Sequence, residues 1–374
     1  MNSVPIRVSY VAISLFIFEI GSSPMFLLGA KAGRDAWLSM LIGAVTGLPF
    51  LLLYLAIHRL DPDKDLFELL LYYFGRTLGT VVGLAFVGYF ILEANRNLRD
   101  FGDLTGLAIL TQTPLFFIML IVILVIMNTM RYGPRTLFLV ITSLFPLILF
   151  SFILLFVFLL TTDLVRPEFL FPVLEHGIKP VWDAAVPELI SFPFCQSMLF
   201  LVFFPLADPR RRLTKAIVLW YAGTSVFLTC LNEVSILVLG PVLAANSTYP
   251  ILQVVQLIRV SQLVQRFDAL FVMILFLGLG TKLCFFFMGA LVGMERMTGK
   301  KVKLWVIPVG ATIYLTAFFP SSFTSFVRLG LEVLVTYVYP FFQLGFPLLL
   351  FAVMLLRQKK KGSRTTGHPS TGST

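Results

Sequence analysis

A carboxylate and a run of small residues lie inside the first long apolar stretch of the chain, at Phe18-Glu19-Ile20-Gly21-Ser22-Ser23-Pro24. A charge is costly at membrane depth, so Glu19 marks a candidate functional site. Gly21 permits unusual backbone angles, and Pro24 lacks an N–H and clashes with the preceding turn. The stretch therefore predicts a helix that breaks inside the membrane, where irregular backbone must be buried in protein or line a cavity.

The same pattern returns at Glu188-Leu189-Ile190-Ser191-Phe192-Pro193, early in a later apolar run. Both stretches consist of Glu, an aliphatic residue, any residue, Ser, any residue and Pro. Interrupted spans at corresponding positions of two halves are typical of the binding sites of transporters.

A broken helix could bind a small charged molecule through its own backbone. The break leaves N–H groups free at the start of one half and C=O groups free at the end of the other. The N–H end suits a carboxylate and the C=O end suits an ammonium group, so an amino acid fits both. We predict a ligand shell of Gly21, Ser22, Ser23, Ser191 and Phe192. The alternative is a proline kink whose small residues only allow close helix packing.

Charged residues inside the apolar runs are further candidates, and they are Glu19, Glu93, Glu188, Glu233 and Lys282. Lone charges at that depth find partners or become neutral. Lys282 is predicted to pair with Glu19 or Glu188, or to take the place of a coupling sodium ion, which would make these residues a substrate or proton site. The alternative is a static ion pair that fixes helix register. Glu93 is three residues before Arg96, so an i,i+3 ion pair is the simpler account of it.

The composition is that of an integral membrane protein, because 58% of the 374 residues are hydrophobic and only 13% are charged. The apolar runs are long and continuous, which favours helices over a barrel. The net charge of +10 arises from loops that face lipid headgroups, and we expect no nucleic-acid partner. Cysteine and histidine form no metal-binding pattern. We therefore expect no metal, no cofactor and no enzymatic activity.

Counting apolar runs of roughly 20 residues predicts ten membrane spans. They cover residues 8–30, 36–57, 77–98, 114–130, 135–160, 184–206, 214–239, 267–294, 304–319 and 331–356. The first and sixth spans are predicted to break near Gly21 and Pro193. Residues 65–74 are predicted to form a short interfacial helix that ends at Gly75.

Five spans, a long loop and five more spans predict an inverted repeat, because an odd number of spans reverses the second half. The repeats are residues 1–160 and 184–358, joined by an extracytoplasmic loop at 161–183, with outer-face helices near 240–265 and a disordered cytoplasmic tail at 359–374. Lys and Arg concentrate in the loops on the N-terminal side, while Arg96 and Arg99 are assigned to the outer side. This asymmetry predicts that both termini are cytoplasmic.

The layout resembles the endospore germination permeases, the B subunits of spore germinant receptors, which belong to the amino acid–polyamine–organocation superfamily. The resemblance covers about residues 5–358. It is carried by Gly21-Ser22-Ser23-Pro24, Leu110-Thr111-Gln112-Thr113-Pro114, Ser247-Thr248-Tyr249-Pro250 and Gln265-Arg266-Phe267-Asp268. It implies an all-α, leucine-transporter-like fold in the spore inner membrane. It also implies A and C partner subunits, the latter a lipoprotein, and a small germinant that is often an amino acid.

The resemblance also implies which residues surround the germinant. They are Gly21, Ser22 and Ser23, then Tyr89 and Glu93 on the third span, Ser191 and Phe192 on the sixth, and Thr281 on the eighth. Two alternatives to a ligand-sensing receptor subunit remain. One is a proton- or cation-coupled amino-acid transporter, with Glu19, Glu188 and Lys282 as its coupling groups. The other is a structural scaffold with a vestigial pocket.

Overall fold

The computed structural model describes residues 5–258, 267–319, 326 and 328–365, and the chain in these ranges is almost entirely helical. The first half contains α1 (Val8–Ile20), α2 (Ala36–Leu60), α3 (Leu66–Phe74), α4 (Arg76–Ala108), α5 (Leu115–Met130) and α6 (Gly133–Leu160). The second half contains α7 (Ile178–Ala184), α8 (Leu213–Leu239), α9 (Pro241–Asn246), α10 (Pro250–Leu257), α11 (Phe267–Thr298), α12 (Val302–Thr316) and α13 (Phe346–Thr365). Gln265 and Arg266 lie outside the described residues.

Within the described ranges, eight helical segments are long and apolar enough to cross a membrane. They are Val8–Met25, Ala30–Leu60, Arg76–Ala108, Gly133–Leu160, Ile178–Val202, Arg210–Leu239, Phe271–Thr298 and Val333–Gln358. The predicted fourth and ninth spans correspond to the shorter apolar helices α5 and α12. The expectation of an all-α membrane protein is confirmed, whereas the count of ten crossings and the inverted repeat stay predictions.

The last helix is preceded by π-helical turns at Leu329–Val338 and Phe341–Gly345. It runs to Thr365, past the predicted start of the tail at Lys359. Residues 366–374 lie outside the described residues.

The third predicted span is longer than the sequence suggested, because α4 continues to Ala108. A helix of 33 residues is about 50 Å long. Arg96 and Arg99 are buried within it, so their assignment to an outer loop is wrong. The polar run from Asn95 to Asp100 looks like a loop, but it is a buried helical face. Removing two basic residues from the outer side increases the asymmetry that predicts cytoplasmic termini.

The centre of the fold is α11, which packs along α4 and also contacts α1 and α6. Small residues allow these close approaches. A Cβ built on Gly278 of α11 would lie 2.8 Å from the carbonyl oxygen of Gly21 and 3.2 Å from its Cα. The end of α1 and the middle of α11 are therefore in backbone contact.

A two-residue parallel pairing joins the segment before α1 to the segment before α8. Ile6 pairs with Ala207, and Arg7 pairs with Asp208. These strands, β1 (Ile6–Arg7) and β2 (Ala207–Asp208), are the only ones in the described ranges. They connect the start of the first span directly to the segment that follows the sixth.

The predicted interfacial helix is present as α3, and its N-terminus is capped by its own side chains. The Asp65 carboxylate accepts a hydrogen bond from the Glu68 backbone N–H at 3.0 Å, and the Glu68 carboxylate accepts one from the Asp65 backbone N–H at 3.0 Å. This reciprocal capping satisfies two free donors. Arg296 at the end of α11 pairs with Asp65 at 2.7 Å and with Glu68 at 3.1 Å. The ion pairs fix α3 against α11.

The Asp65 carboxyl predicts a pH-dependent contribution to stability. Burial raises the pKa of Asp65 to about 6, against the opposing charge of Arg296. A carboxyl whose pKa is raised by folding contributes stability that is complete below its unfolded pKa and lost as the pH passes its folded pKa. We expect wild type to lose up to about 3 kcal/mol relative to Asp65→Asn as the pH rises from about 4 to about 6.

This expectation is checked by the thermal midpoints of the two purified proteins across that pH range. Asn is also a good N-cap residue, so the substitution keeps the capping of α3. A difference between the two midpoints that stays constant with pH would contradict the assignment.

Candidate functional site

The first predicted break is present at Gly21. Helix α1 ends at Ile20, and Gly21 has φ 3° and ψ −92°, outside the helical region. One 3₁₀ turn follows at Ser23–Met25. The Ser23 hydroxyl donates to the Glu19 carbonyl oxygen at 2.6 Å and satisfies one of the free acceptors at the end of α1.

The second predicted break is present on the sixth span, and it has two parts. Val186 has strand-like angles (φ −119°, ψ 124°) inside a π-helical segment at Ala185–Leu189. A turn at Phe192 and Pro193 then leads into a 3₁₀ helix at Phe194–Val202. The span is therefore irregular around Ser191, which is fully buried and whose hydroxyl has no hydrogen-bond partner.

Lys282 of α11 connects the two breaks. Its Nζ donates to the Ser22 hydroxyl at 3.2 Å. The same Nζ lies 4.6 Å from the ring centroid of Phe192 and 5.4 Å from that of Phe18. Both rings are within the distance at which an aromatic face attracts a cation. A single fully buried ammonium group thus contacts the first break on one side and the second on the other.

Glu19 is the carboxylate beside this ammonium group. Its side chain is 0% exposed, and neither carboxylate oxygen has a hydrogen-bond partner. The charge of Lys282 and the backbone N–H of Ser197 act on it, but it forms no ion pair within the described residues. A buried carboxylate without donors is costly. The site therefore keeps an acceptor that its own side chains leave unbonded.

A second group of buried polar residues lies on α4, next to the two breaks. Gln196 donates to Glu93 at 2.8 Å, and Arg96 lies 3.9 Å from the same carboxylate. The predicted i,i+3 pair of Glu93 and Arg96 is therefore present. Arg96 also donates to the hydroxyl of Tyr339. The charges of Glu93, Arg96 and Asp100 reach Lys282, so the two polar groups form one electrostatic unit.

Comparison with known proteins shows which family the chain belongs to. Residues 5–326 match the model of a family described as spore germination protein. The chain belongs to the spore germination permease family. It is 27% identical to spore germination protein KB of Bacillus subtilis over 96% of this chain and 97% of that protein. Germination proteins B2 and A2 of the same organism are 25% and 23% identical, covering 84% and 77% of this chain and 86% and 78% of theirs.

Tyr89 of this germination permease faces the last helices and not the break. Its hydroxyl accepts a hydrogen bond from Gln343 at 2.8 Å, and its ring stacks on Phe342 at 4.8 Å. Tyr54 donates to the Gln343 carbonyl oxygen at 2.7 Å. Thr281 is buried next to Lys282 on α11. The roles predicted for Tyr89 and Thr281 in ligand binding stay predictions.

Glu188 is not one of the buried charges of the permease, which corrects the prediction from the sequence. Its carboxylate pairs with Lys31 at 2.8 Å, and the two side chains are 25% and 69% exposed. The sixth span is irregular at Val186, and Glu188, two residues later, is partly exposed and reaches Lys31 on the segment that follows the first break. Its predicted pairing with Lys282 is therefore not made, and this geometry gives no support to a role in coupling.

Several hydrogen bonds hold together the segments on the side of Glu188. The amide side chain of Asn232 donates to the Leu28 carbonyl oxygen and accepts from the Leu28 N–H, both at 2.9 Å. The Asp35 carboxylate accepts from the Leu174 N–H at 3.0 Å. The segment that follows the first break is thus bonded to α8 and to the loop before the sixth span. The charge of Asp35 acts on Glu233.

Sequence reasoning missed part of the polar network in the permease. Gln196 and Gln343 are single polar residues in apolar runs, and both are buried and bonded to predicted site residues. Glu93, Arg96, Asn97 and Asp100 follow helical spacing, and this period is a signal that α4 continues past Leu98. The glutamines had no such signal, because their partners are distant in the sequence.

Proposed function

We propose that this permease is a membrane subunit of a spore germinant receptor. It binds a small germinant, with an amino acid as the expected class, between the broken first and sixth helices. Binding favours one conformation of the subunit, and A and C partner subunits in the spore inner membrane respond to that conformation. A ligand can shift the two conformations only by its difference in affinity for them.

One observation supports this proposal above the others. The breaks at Gly21 and Pro193 meet at a single buried point, where Lys282 contacts Ser22 and Phe192. Irregular backbone and charge are both costly inside a membrane, and their coincidence is expected at a binding site. The family and the names of its relatives support a role in germination.

Ligand-dependent thermal stabilisation of the purified chain tests the binding step. We expect at least one member of a panel of amino acids to raise the thermal midpoint in a saturable way. Ser22→Val removes the hydroxyl at the break and is expected to weaken that effect at least tenfold in apparent affinity. Ser143→Val is the matched control, because Ser143 is exposed and only bonds within its own helix. An equal loss in both variants would count against binding at the break.

A proton- or cation-coupled amino-acid transporter is the second candidate, favoured by the buried opposite charges of Glu19 and Lys282, of which the Glu19 carboxylate has no hydrogen-bond partner. Such groups can change protonation during a transport cycle. Uptake of labelled amino acids into vesicles containing only this chain distinguishes the candidates. Accumulation above the level of empty vesicles, lost in Glu19→Gln, would favour transport over a receptor without transport.

A further inference from the structure

We propose that the two breaks form a seat for an ammonium group, and that the Lys282 side chain fills this seat until a ligand displaces it. The ammonium seat consists of the rings of Phe18 and Phe192, the Ser22 hydroxyl and the Glu19 carboxylate. The inference rests on the proposed function and specifies the chemical group by which the ligand is recognised. Lys282 is then an internal competitor of the ligand.

The groups around the Lys282 ammonium are those that bind cations. Two aromatic faces lie 4.6 Å and 5.4 Å from Nζ, and the Ser22 hydroxyl accepts a hydrogen bond from it at 3.2 Å. Phe18 and Ser22 come from the first broken helix, and Phe192 comes from the second. The attraction of these groups for a cation does not depend on whether the cation belongs to the chain. A free ammonium ligand can therefore replace the lysine.

The Lys282 stem occupies the space beside the first break. A Cβ built on Gly21 would lie 2.9 Å from Lys282 Cδ and 3.2 Å from Lys282 Cβ. Lys282 is fully buried. A ligand at this point cannot simply add to the observed arrangement, so the lysine side chain must move when the ligand enters.

Glu19 gives a ligand an advantage over the lysine. Both of its oxygens are buried without a hydrogen-bond partner, and Lys282 forms no ion pair with it in the described part of the chain. The ammonium of Lys282 is tethered to α11, whereas a free ammonium group can move toward the Glu19 carboxylate and donate to it. The ligand thus makes a charge-assisted hydrogen bond that the lysine lacks.

The opposite role for Lys282 is a direct contact with the carboxylate of the ligand. The two roles predict opposite effects when the lysine is removed. With a competitor present, the apparent affinity is the intrinsic affinity multiplied by the fraction of time for which the seat is open, so removal of the competitor raises the apparent affinity. A contact contributes to binding, so its removal lowers affinity.

Lys282→Met removes the charge and keeps an unbranched side chain of similar length. Binding of trimethylammonium to the purified full-length chain is measured by thermal stabilisation, with tert-butanol as a neutral, slightly larger molecule that carries the same three methyl groups. We expect the apparent Kd of trimethylammonium to fall at least about tenfold, which corresponds to a seat open one-tenth of the time in wild type. The response to tert-butanol is expected to stay unchanged.

Lys215→Met is the matched control, because Lys215 is exposed at the start of α8. It is expected to bind trimethylammonium as wild type does. An unchanged or a weaker affinity in Lys282→Met overturns the proposal, as does an equal gain for tert-butanol.

A second measurement uses wild type and does not depend on how the variant folds. The Lys282 amine is acetylated, and its modification is followed by mass spectrometry. The probe does not form a competing stable amide, because trimethylamine is a tertiary amine. Displacement from the seat should increase Lys282 acetylation at least threefold in trimethylammonium but not in tert-butanol. Unchanged modification, or protection by trimethylammonium, refutes displacement.

The inference and the proposed function can fail separately. If amino acids stabilise wild type through Ser22 while Lys282→Met loses affinity, the proposed function survives and the ammonium seat does not. If Lys282→Met gains trimethylammonium affinity while no amino acid stabilises wild type, the ammonium seat survives and the proposed class of germinant does not.

Discussion

Gly278→Ala is expected to destabilise the folded protein by about 3 kcal/mol, at the upper end of the cost of overpacking. The added Cβ would lie 2.8 Å from the carbonyl oxygen of Gly21 and 3.2 Å from its Cα. Backbone cannot rotate away as a flexible side chain does, so α11 must move off the first break. Because Lys282 is one helical turn further along α11, the shift also removes its ammonium from Ser22 and Phe192. The expected result is a lower thermal midpoint and weaker ligand binding.

Gly280→Ala is the matched control on the same helix. A Cβ at Gly280 meets no atom within 4 Å, and alanine is favoured over glycine in a helix interior by up to about 1 kcal/mol. We therefore expect its thermal midpoint to be unchanged or slightly higher. If both variants fall equally, a general defect in membrane assembly explains the loss, and the contact between α11 and the break does not.

Arg96→Met is expected to destabilise the protein by about 3–5 kcal/mol, because it leaves buried carboxylates without their cation. Arg96 lies 3.9 Å from Glu93, and Asp100 also interacts with it. All three side chains are at least nine-tenths buried. The methionine keeps most of the apolar stem, so the expected loss comes from the charge and its hydrogen bond to Tyr339.

Adding Glu93→Gln to Arg96→Met tests the partnership. Glutamine removes the unpaired charge and is expected to recover at least about 1 kcal/mol, as coupled neighbours do in double-mutant cycles. Arg131→Met, at an exposed arginine that follows α5, is the control and should leave the thermal midpoint within about 0.5 kcal/mol. Strictly additive effects of the two substitutions would show that Glu93 and Arg96 are not energetically coupled.

Much of the fold could be predicted because its signals are local. Apolar length, glycine and proline indicated the spans, the end of α3 at Gly75 and both breaks. The third span was predicted to be too short, since a window of hydropathy cannot distinguish a buried polar helix face from a loop. The residues from Asn95 to Asp100 are polar except for Leu98, yet they are helical and buried, because α4 packs against α11 and α12.

The site was predicted in part because some of its signals are also local in the sequence. Glu19, Ser22, Phe192 and Lys282 come together, as the charges and breaks in the sequence suggested. Glu188 could not be placed correctly, because the motif specifies a break but not its depth in the membrane. The shared Glu-to-Pro pattern therefore located two interruptions and misjudged the environment of one carboxylate.

The pairing of β1 with β2 has a mechanical consequence for any movement of the two broken spans. The bonds between Ile6–Arg7 and Ala207–Asp208 connect the start of the first span to the segment after the sixth through backbone, so neither end can move alone. The two ends must either move together or separate by breaking these bonds. A force applied to the first few residues of the chain would then act on both broken helices at once.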